Sequence, residues 1–307
     1  MDVAAVEKCL AGGVIGFRSS RDVLRVSGGD AAEYLQGQLS QDVHGLVVGS
    51  SKPTLLLKPQ GHLDAWMRIT RLAENEFVLD IDADYGDQAH DRLTRFAIRV
   101  DLLVEVETMP MVAVRGPQAD RALADGIAGW VLEPLWSDSV GFDLLGGHGE
   151  MPAGVNEGPP TGFDLARILC GAPAMGSEIG GSTIPASVGV VDRAVDFNKG
   201  CYVGQELVAR IDSRGAATPF KLRGVEIGSG GANPGDELID DGQVVGHITS
   251  VADRRDKQIG LALVKRAVEI PADLGLGSPN QNEARAVRVV SLPFPLEGTS
   301  VNNSGET

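Results

Sequence analysis

Between Asp196 and Arg210 the chain runs DFNKGCYVGQELVAR. Cys201 lies between Gly200 and Gly204, Lys199 precedes it by two residues, and Gln205-Glu206 opens a helical pattern. A thiol acts as a nucleophile or metal ligand in its thiolate form, which a neighbouring ammonium and a helix N-terminus both favour. The two glycines would let the backbone turn tightly around it. The same residues also suit a small buried cysteine, the usual setting of a free thiol, so local chemistry leaves the two readings level. Cys9 and Cys170 lack such neighbours and read as inert.

Two carboxylates stand in turn-rich settings. Glu178 lies in the glycine-rich PAMGSEIGGSTIP, where a carboxylate can accept two hydrogen bonds from an amino-pyrimidine face and where an exposed loop acid is the common alternative. Asp64 follows the Pro59-Gln60-Gly61 turn and has the same ambiguity. Residues 198–223 hold five basic groups (Lys199, Arg210, Arg214, Lys221 and Arg223) against Glu206 and Asp212, inside a protein of formal charge -15. That contrast could attract an anionic ligand such as a polycarboxylate tail, or it could be an ordinary solvated stretch.

The elements that must hold these residues can be read from periodicity. DVLRVS (22–27) alternates as a half-buried strand, and Asp30 with Glu33 forms a capping-box pattern ahead of Ala31, Tyr34, Leu35 and Leu39. The order recurs in VAVRGPQADRAL (112–123), which predicts an internal strand-turn-helix repeat. Between the copies, PTLLLKPQGHLDAWMRI predicts a hairpin around Pro59-Gln60-Gly61 followed by further strand, and then a helix over 86–99 with Leu93, Phe96 and Ala97 on one side. Separate strands are expected at 100–106 and 111–115, a strand pair with an exposed loop over 137–160, and a helix over 161–173. From Phe220 onward, short strands broken by Gly, Asn and Asp predict a small antiparallel barrel or sandwich. Runs of strands without regular βαβ alternation favour an α+β architecture. The polar EGTSVNNSGET (297–307) reads as a disordered tail.

Composition narrows the function. The strong negative charge argues against direct nucleic-acid binding and against anionic membrane surfaces, both of which rest on Lys and Arg. The opening MDVAAVEKCLAGG has neither a signal-peptide pattern nor a membrane-length apolar run, which makes a cytoplasmic protein the expectation. Three separated cysteines and five scattered histidines give no zinc or helix-borne metal spacing. Neither a G-x-G-x-x-G strand-to-helix turn nor a P-loop occurs.

Five segments occur in an order that resembles a known family: LQGQLSQDV, LLLKPQGHLDA, RILCGAPAMGSEI with TIP, DFNKGCYVGQELVARIDSRG and VRVVSLPF. Together they look like the YgfZ family, the folate-binding relatives of the glycine-cleavage T-protein, over about residues 22–294. KGCYVGQE is the most specific of them. The resemblance implies a three-domain ring of the T-protein type around a central channel: two interleaved α+β domains over 1–215, then a C-terminal antiparallel β-barrel over 216–293, with 294–307 as tail. It implies tetrahydrofolate, or a one-carbon-substituted form, as the bound cofactor.

The resemblance also distributes roles. Glu178 would hold the pterin, with Gln205, Glu206, Arg210 and Arg214 shaping the folate and thiol region. Cys201, Lys199 and Asp64 would carry any chemistry, with the reactive sulfur beside the folate channel. T-proteins have an acidic pair after the hairpin turn, one member of which is catalytic, whereas this chain has Asp64 followed by Ala65. The implied function is support of iron-sulfur proteins or their assembly factors, including radical enzymes that thiolate tRNA. The alternatives are a folate-dependent aminomethyl or one-carbon transferase and a non-catalytic docking module with a vestigial pocket.

Overall fold

The computed structural model describes residues 3–136, 139–213, 218–228, 230–278 and 281–296. In chain order the elements are α1 (Val3–Gly12), β1 (Ile15–Ser27), α2 (Ala31–Gln38), β2 (Ser51–Leu57), β3 (Leu63–Ala73), β4 (Glu76–Asp82), α3 (Gly86–Thr94), β5 (Leu103–Arg115), β6 (Trp130–Leu132), β7 (Gly141–Leu145) and β8 (Asn156–Glu157). They continue as α4 (Pro160–Cys170), α5 (Val191–Ala194), α6 (Gln205–Ser213), β9 (Phe220–Ile227), β10 (Glu237–Asp240), β11 (Gln243–Arg254), β12 (Lys257–Lys265), β13 (Ala272–Ser278) and β14 (Gln281–Val290).

The first eight strands form one sheet in the order β2-β3-β4-β1-β5-β7-β6, with the two-residue β8 added in parallel to β1. The last six close into an antiparallel barrel, β10-β11-β12-β9-β14-β13. Mixed sheet and barrel together give the α+β architecture expected from the sequence.

The sheet cannot be flat. Arg68 on β3 donates from Nη1 to Asp143 Oδ2 on β7 at 2.9 Å, yet four strand steps separate β3 from β7, roughly 19 Å at ~4.8 Å per step. Only a sheet curled on itself brings those side chains together. The contact belongs to a buried alternating chain of charges. Arg21 reaches Asp82 and donates to Asp80 at 2.9 Å. Arg68 then grips both oxygens of Asp80, at 2.8 and 3.0 Å, and Arg115 donates to Asp143 at 2.6 Å. Burial works against the charge on Asp143, but Arg115 and Arg68 outweigh it and hold its carboxyl below the usual range. The same balance leaves the Arg68 guanidinium above its ordinary value, with Asp80 and Asp143 overcoming burial.

Two further contacts tie the barrel to the sheet region. Glu7 on α1 pairs with Arg254 on β11, and Arg167 on α4 donates to Ser250 Oγ on β11 at 2.8 Å. Apolar packing follows the same path, since Leu222, Ile259, Leu261 and Phe294 join the main core rather than the separate core inside the barrel.

Several local expectations change. Asp30 precedes α2 but does not cap it through its side chain; its carboxylate accepts from the Asp101 amide at 2.8 Å, joining β1's end to β5's start. The second copy of the proposed repeat keeps its strand and turn but ends in a single 3₁₀ turn, Arg121–Ala124, capped by Asp120. The strands expected at 100–106 and 111–115 are one strand, because β1 is long enough to pair with β5 from Ile15–Arg115 to Ser27–Leu103. Helix α3 stops at Thr94, short of the expected 99, so Phe96 falls outside it and is exposed while Leu93 is buried. The stretch 137–160 supplies β7 and the two-residue β8, which pair with other strands and not with each other. Strand β13, with glycines at 275 and 277, carried no clear strand signal. The polar tail from 297 lies outside the described residues.

Breaking one end of a buried ion pair leaves the other charge uncompensated, so Asp143→Asn is expected to destabilise the protein by roughly 3–5 kcal/mol. Because the folded carboxyl is depressed, its stabilising contribution is complete above the unfolded value of about 3.9 and is lost as pH falls through the folded value. Urea unfolding from pH 7 down to pH 3 should therefore show a steeper acid loss for the natural protein than for the variant; parallel curves would contradict this account.

Candidate functional site

The hairpin turn 58–61 and the loop before α6 are built against each other. Gly61 and Gly204 both have positive φ, at +81° and +82°. A Cβ on Gly204 would lie 2.5 Å from the Lys58 carbonyl oxygen and 2.8 Å from Leu57 Cβ, and one on Gly61 would lie 2.4 Å from Leu207 Cβ. Glycine is required at both positions. Gly200 differs, since nothing lies within 4 Å of where its Cβ would sit and its φ is not in the left-handed region.

Lys199 does not act as a free ammonium beside the thiol. Its Nζ donates to the carbonyls of Gln36, Leu39 and Gln41 at 2.7, 2.6 and 2.9 Å, which uses its three donors. These acceptors lie at and beyond the C-terminal end of α2, where the helix dipole also favours a cation. Burial lowers the lysine's pKa to about 8, against the pull of Asp42 and Asp196. Tyr202 packs its ring 5.2 Å from the ammonium, and burial raises its hydroxyl to about 12. The Val203 amide donates to the Gly37 carbonyl, so the loop is fastened to α2 at two points.

Cys201 itself is exposed at the crest of this loop. Gln205 turns back to accept from the Tyr202 amide at 3.2 Å and so serves the loop's own geometry. Glu206 and Arg210 lie on the exposed side of α6. Arg214 lies outside the described residues. Asp64, at the start of β3, accepts from Gln88 at 3.2 Å and stands 3.5 Å from Arg92 Nε.

Glu178 is not an exposed loop acid. It is 1% exposed. Its Oε2 accepts from Arg167 and from the Ala174 amide, both at 2.9 Å, and its Oε1 accepts from Ser250 at 2.6 Å. Arg167 and Ser250 thus hold the carboxylate in place while joining α4, the 174–179 loop and the barrel, so Glu178 is a buried, oriented acceptor rather than an exposed loop acid.

Three cavities meet around Leu135 and Trp136. The first, about 430 Å³, is bounded by Trp66, the Ala186–Val190 turn, Arg193, Lys221 and Arg223. The second, about 600 Å³, is largely apolar, with Leu10, Ala166, Leu169, Val290 and Phe294 in its wall. The third, about 480 Å³, is polar and takes Arg21, Asp82, Arg115 and Asp143 of the ionic chain as part of its wall. Cys170, Ser291 and Pro293 border the first two, and Arg115 and Trp136 border the second and third. Cys170, read as inert from sequence, therefore stands at a junction of cavities, while Cys201 borders none of the three. Sequence reasoning missed Trp66, Arg115, Trp136 and Cys170 because nothing local distinguishes them; only the curl of the sheet and the docking of the barrel bring them together.

Size and lining suit an extended organic ligand. The second cavity is in the ~300–1,000 Å³ range of small-molecule sites, with an apolar wall and few polar groups. Arg115 stacks its guanidinium 4.7 Å from the Trp136 ring, and its buried Nε has no acceptor among the described residues. Trp66 Nε1, in the first cavity's wall, is likewise buried without an acceptor among them. Among the described residues, no group of three His, Cys, Asp or Glu could hold a metal ion, and no helix is long and apolar enough to cross a membrane.

Comparison with known proteins identifies the framework. Residues 17–129 match the GCVT N-terminal domain family. Over 211 residues the chain is 31% identical to the iron-sulfur cluster assembly factor IBA57 homolog, mitochondrial, of Pyricularia oryzae, covering 64% of this chain and 53% of that protein. This chain thus spans about half the length of that relative. It is 24% identical over 314 residues to an aminomethyltransferase of Streptomyces coelicolor, covering 88% of this chain and 83% of the other. The glycine cleavage system aminomethyltransferase T of Bartonella henselae has the same fold, with a TM-score of 0.79 at 21% identity, over 95% of this chain and 89% of that one.

The two loop glycines give a paired test. Gly204→Ala is expected to cost roughly 2–3 kcal/mol, from positive φ and backbone overlap together, whereas Gly200→Ala should stay within about 0.5 kcal/mol of the natural protein. Equal thermal midpoints for the two variants would contradict the close approach of the hairpin turn to the Cys201 loop.

Proposed function

We propose that this YgfZ-type relative of the glycine-cleavage T-protein binds tetrahydrofolate or a one-carbon-substituted form and, in doing so, supports the assembly or repair of iron-sulfur proteins through Cys201. The observation that carries the folate half is the run of adjoining cavities between sheet and barrel, in a chain with the T-protein fold. The ring system would lie in the apolar cavity against Trp136, Leu169 and Phe294, with the Arg115 Nε as donor to a ring acceptor. Ser291 and Cys170 border the passage to the more polar first cavity. When bound, the folate supplies a carrier for a one-carbon unit; the chain's part is to hold it and shield it from water.

The iron-sulfur half is supported by the similarity to the IBA57 homologue and by an exposed thiol on a loop that is rigid by construction. Three hydrogen bonds from Lys199 and the close packing of Gly204 fix the loop's path, so the sulfur is presented to a partner rather than to the interior. Cys201 would thus work on a surface distinct from the folate cavities. The partners read here are iron-sulfur proteins or their assembly factors, with any effect on tRNA thiolation passing through such a protein.

A folate-dependent aminomethyl transfer is the second reading, favoured by the extent of the match to aminomethyltransferases. Against it, the position after Asp64 is a buried alanine, and Asp64 is engaged by Gln88 and Arg92. General acid-base work at a folate nitrogen needs a carboxyl within hydrogen-bond reach of it.

Titration with tetrahydrofolate tests the shared premise, and absence of binding would sink both readings. Cys201→Ser is expected to fold and bind tetrahydrofolate as the natural protein does while failing to support iron-sulfur enzyme activity in cells lacking the natural copy; full support would remove the thiol from the function. Turnover with an aminomethyl-lipoyl donor, abolished by Asp64→Asn, would favour the transferase instead.

A further inference from the structure

The first cavity has a charge character that sets it apart from the protein around it. Arg193, Lys221 and Arg223 line it, and none of its described lining residues is acidic, in a chain of net charge -15. Arg193 donates to the carbonyls of Pro134 and Leu135, which orient its guanidinium without neutralising it. Lys221 and Arg223, two residues apart on β9, make no ion pair with another described residue. Burial lowers the Arg223 pKa, so an anion placed nearby would offset a cost the fold already carries. The cavity wall also includes Trp66, whose buried indole N–H lacks an acceptor among the described residues. Buried donors are nearly always matched in folded proteins, so one left over beside uncompensated cations points to a ligand oxygen.

We propose that this cavity is a binding site for a polycarboxylate, in which Lys221 and Arg223 on the first barrel strand supply the attraction and the Trp66 N–H a hydrogen bond. Combined with the folate reading, on which this step rests, the preferred ligand is a folate with an extended γ-linked glutamyl tail, its ring in the apolar cavity and its tail turned toward β9. Charge of one sign focused in a cleft raises both the arrival rate and the affinity of the opposite sign, and salt weakens the effect.

The test compares tetrahydrofolate carrying one and three glutamates, with citrate and tripolyphosphate as ring-free probes, on the natural protein and on Lys221→Gln/Arg223→Gln. The natural protein is expected to prefer the triglutamate by about tenfold or more at low salt, and the double variant to lose that preference. Arg223→Lys should retain most of it, which separates charge from packing, and far-UV circular dichroism checks that each variant is folded. A natural protein without tail-length preference, or a double variant that keeps it, overturns the proposal while leaving folate binding intact. If neither folate binds, the folate reading fails; citrate binding that the double variant loses would then uphold the site as one for polycarboxylates. Binding of tripolyphosphate alone, or of no probe, overturns it.

Discussion

The alternating chain Asp82–Arg21–Asp80–Arg68–Asp143–Arg115 is the interaction on which the rest of the architecture depends. It joins β1, β3, β4, β5 and β7, so the sheet must curl for every charge to find its partner. Desolvating one such group without a partner costs several kcal/mol, which makes the chain an all-or-none arrangement rather than a set of independent bonds. The curl leaves a concave surface, and one flank of the chain becomes the wall of the polar cavity. Arg115 extends this influence: its head pairs with Asp143 while the guanidinium stacks on Trp136, the residue that separates the apolar cavity from the polar one.

A second ionic cluster decides where the barrel sits. Arg167 bonds at once to Glu178, to the Ala172 carbonyl and to Ser250, so helix, loop and barrel strand share one set of donors and acceptors. Glu7 and Arg254 add a second fastening. The cavities lie between these fastenings and the curled sheet, so their shape depends on ion pairs lying outside the apolar cavity. A carboxylate that looks available in a glycine-rich loop can therefore be the group that closes the structure.

Much of the fold was legible because it follows local rules. Alternation marked β1, the Pro59-Gln60-Gly61 turn marked the β2–β3 hairpin, and Gly171 ended α4 with a φ of +71°. The ordered motifs pointed to the T-protein type of fold, in agreement with the domain match and with the solved structure. The site was less legible, for a physical reason. Lys199 reads as a thiol's neighbour because it stands two residues away, yet its partners are 158 to 163 residues distant in sequence. Glu178 is matched by Arg167 nearby in sequence and by Ser250 across 72 residues. Cys170 gave no signal, because a cavity is a property of packed elements and not of a spacing. Asp30 shows the same limit on a smaller scale, where a carboxylate suited to capping its own helix is taken by a backbone amide 71 residues away.

One strand connects these parts. At the turn before β3, Gly61 packs against Leu207 and Gly204, beneath the Cys201 loop. Asp64 follows, held by Gln88 and Arg92, then Trp66 at the wall of the basic cavity, then Arg68 at the centre of the ionic chain. Side chains alternate along a strand, so Trp66 and Arg68 share a face, while Asp64 sits at the irregularity where the β2–β3 pairing passes from Leu57–Leu63 to Leu56–Ala65. Arg68 is fixed by four hydrogen bonds to Asp80, Asp143 and the Glu133 carbonyl, which leaves the strand little freedom at that end. The thiol loop and the cavity are therefore separate surfaces with a common rigid support, and the geometry of each is referenced to the same buried arginine.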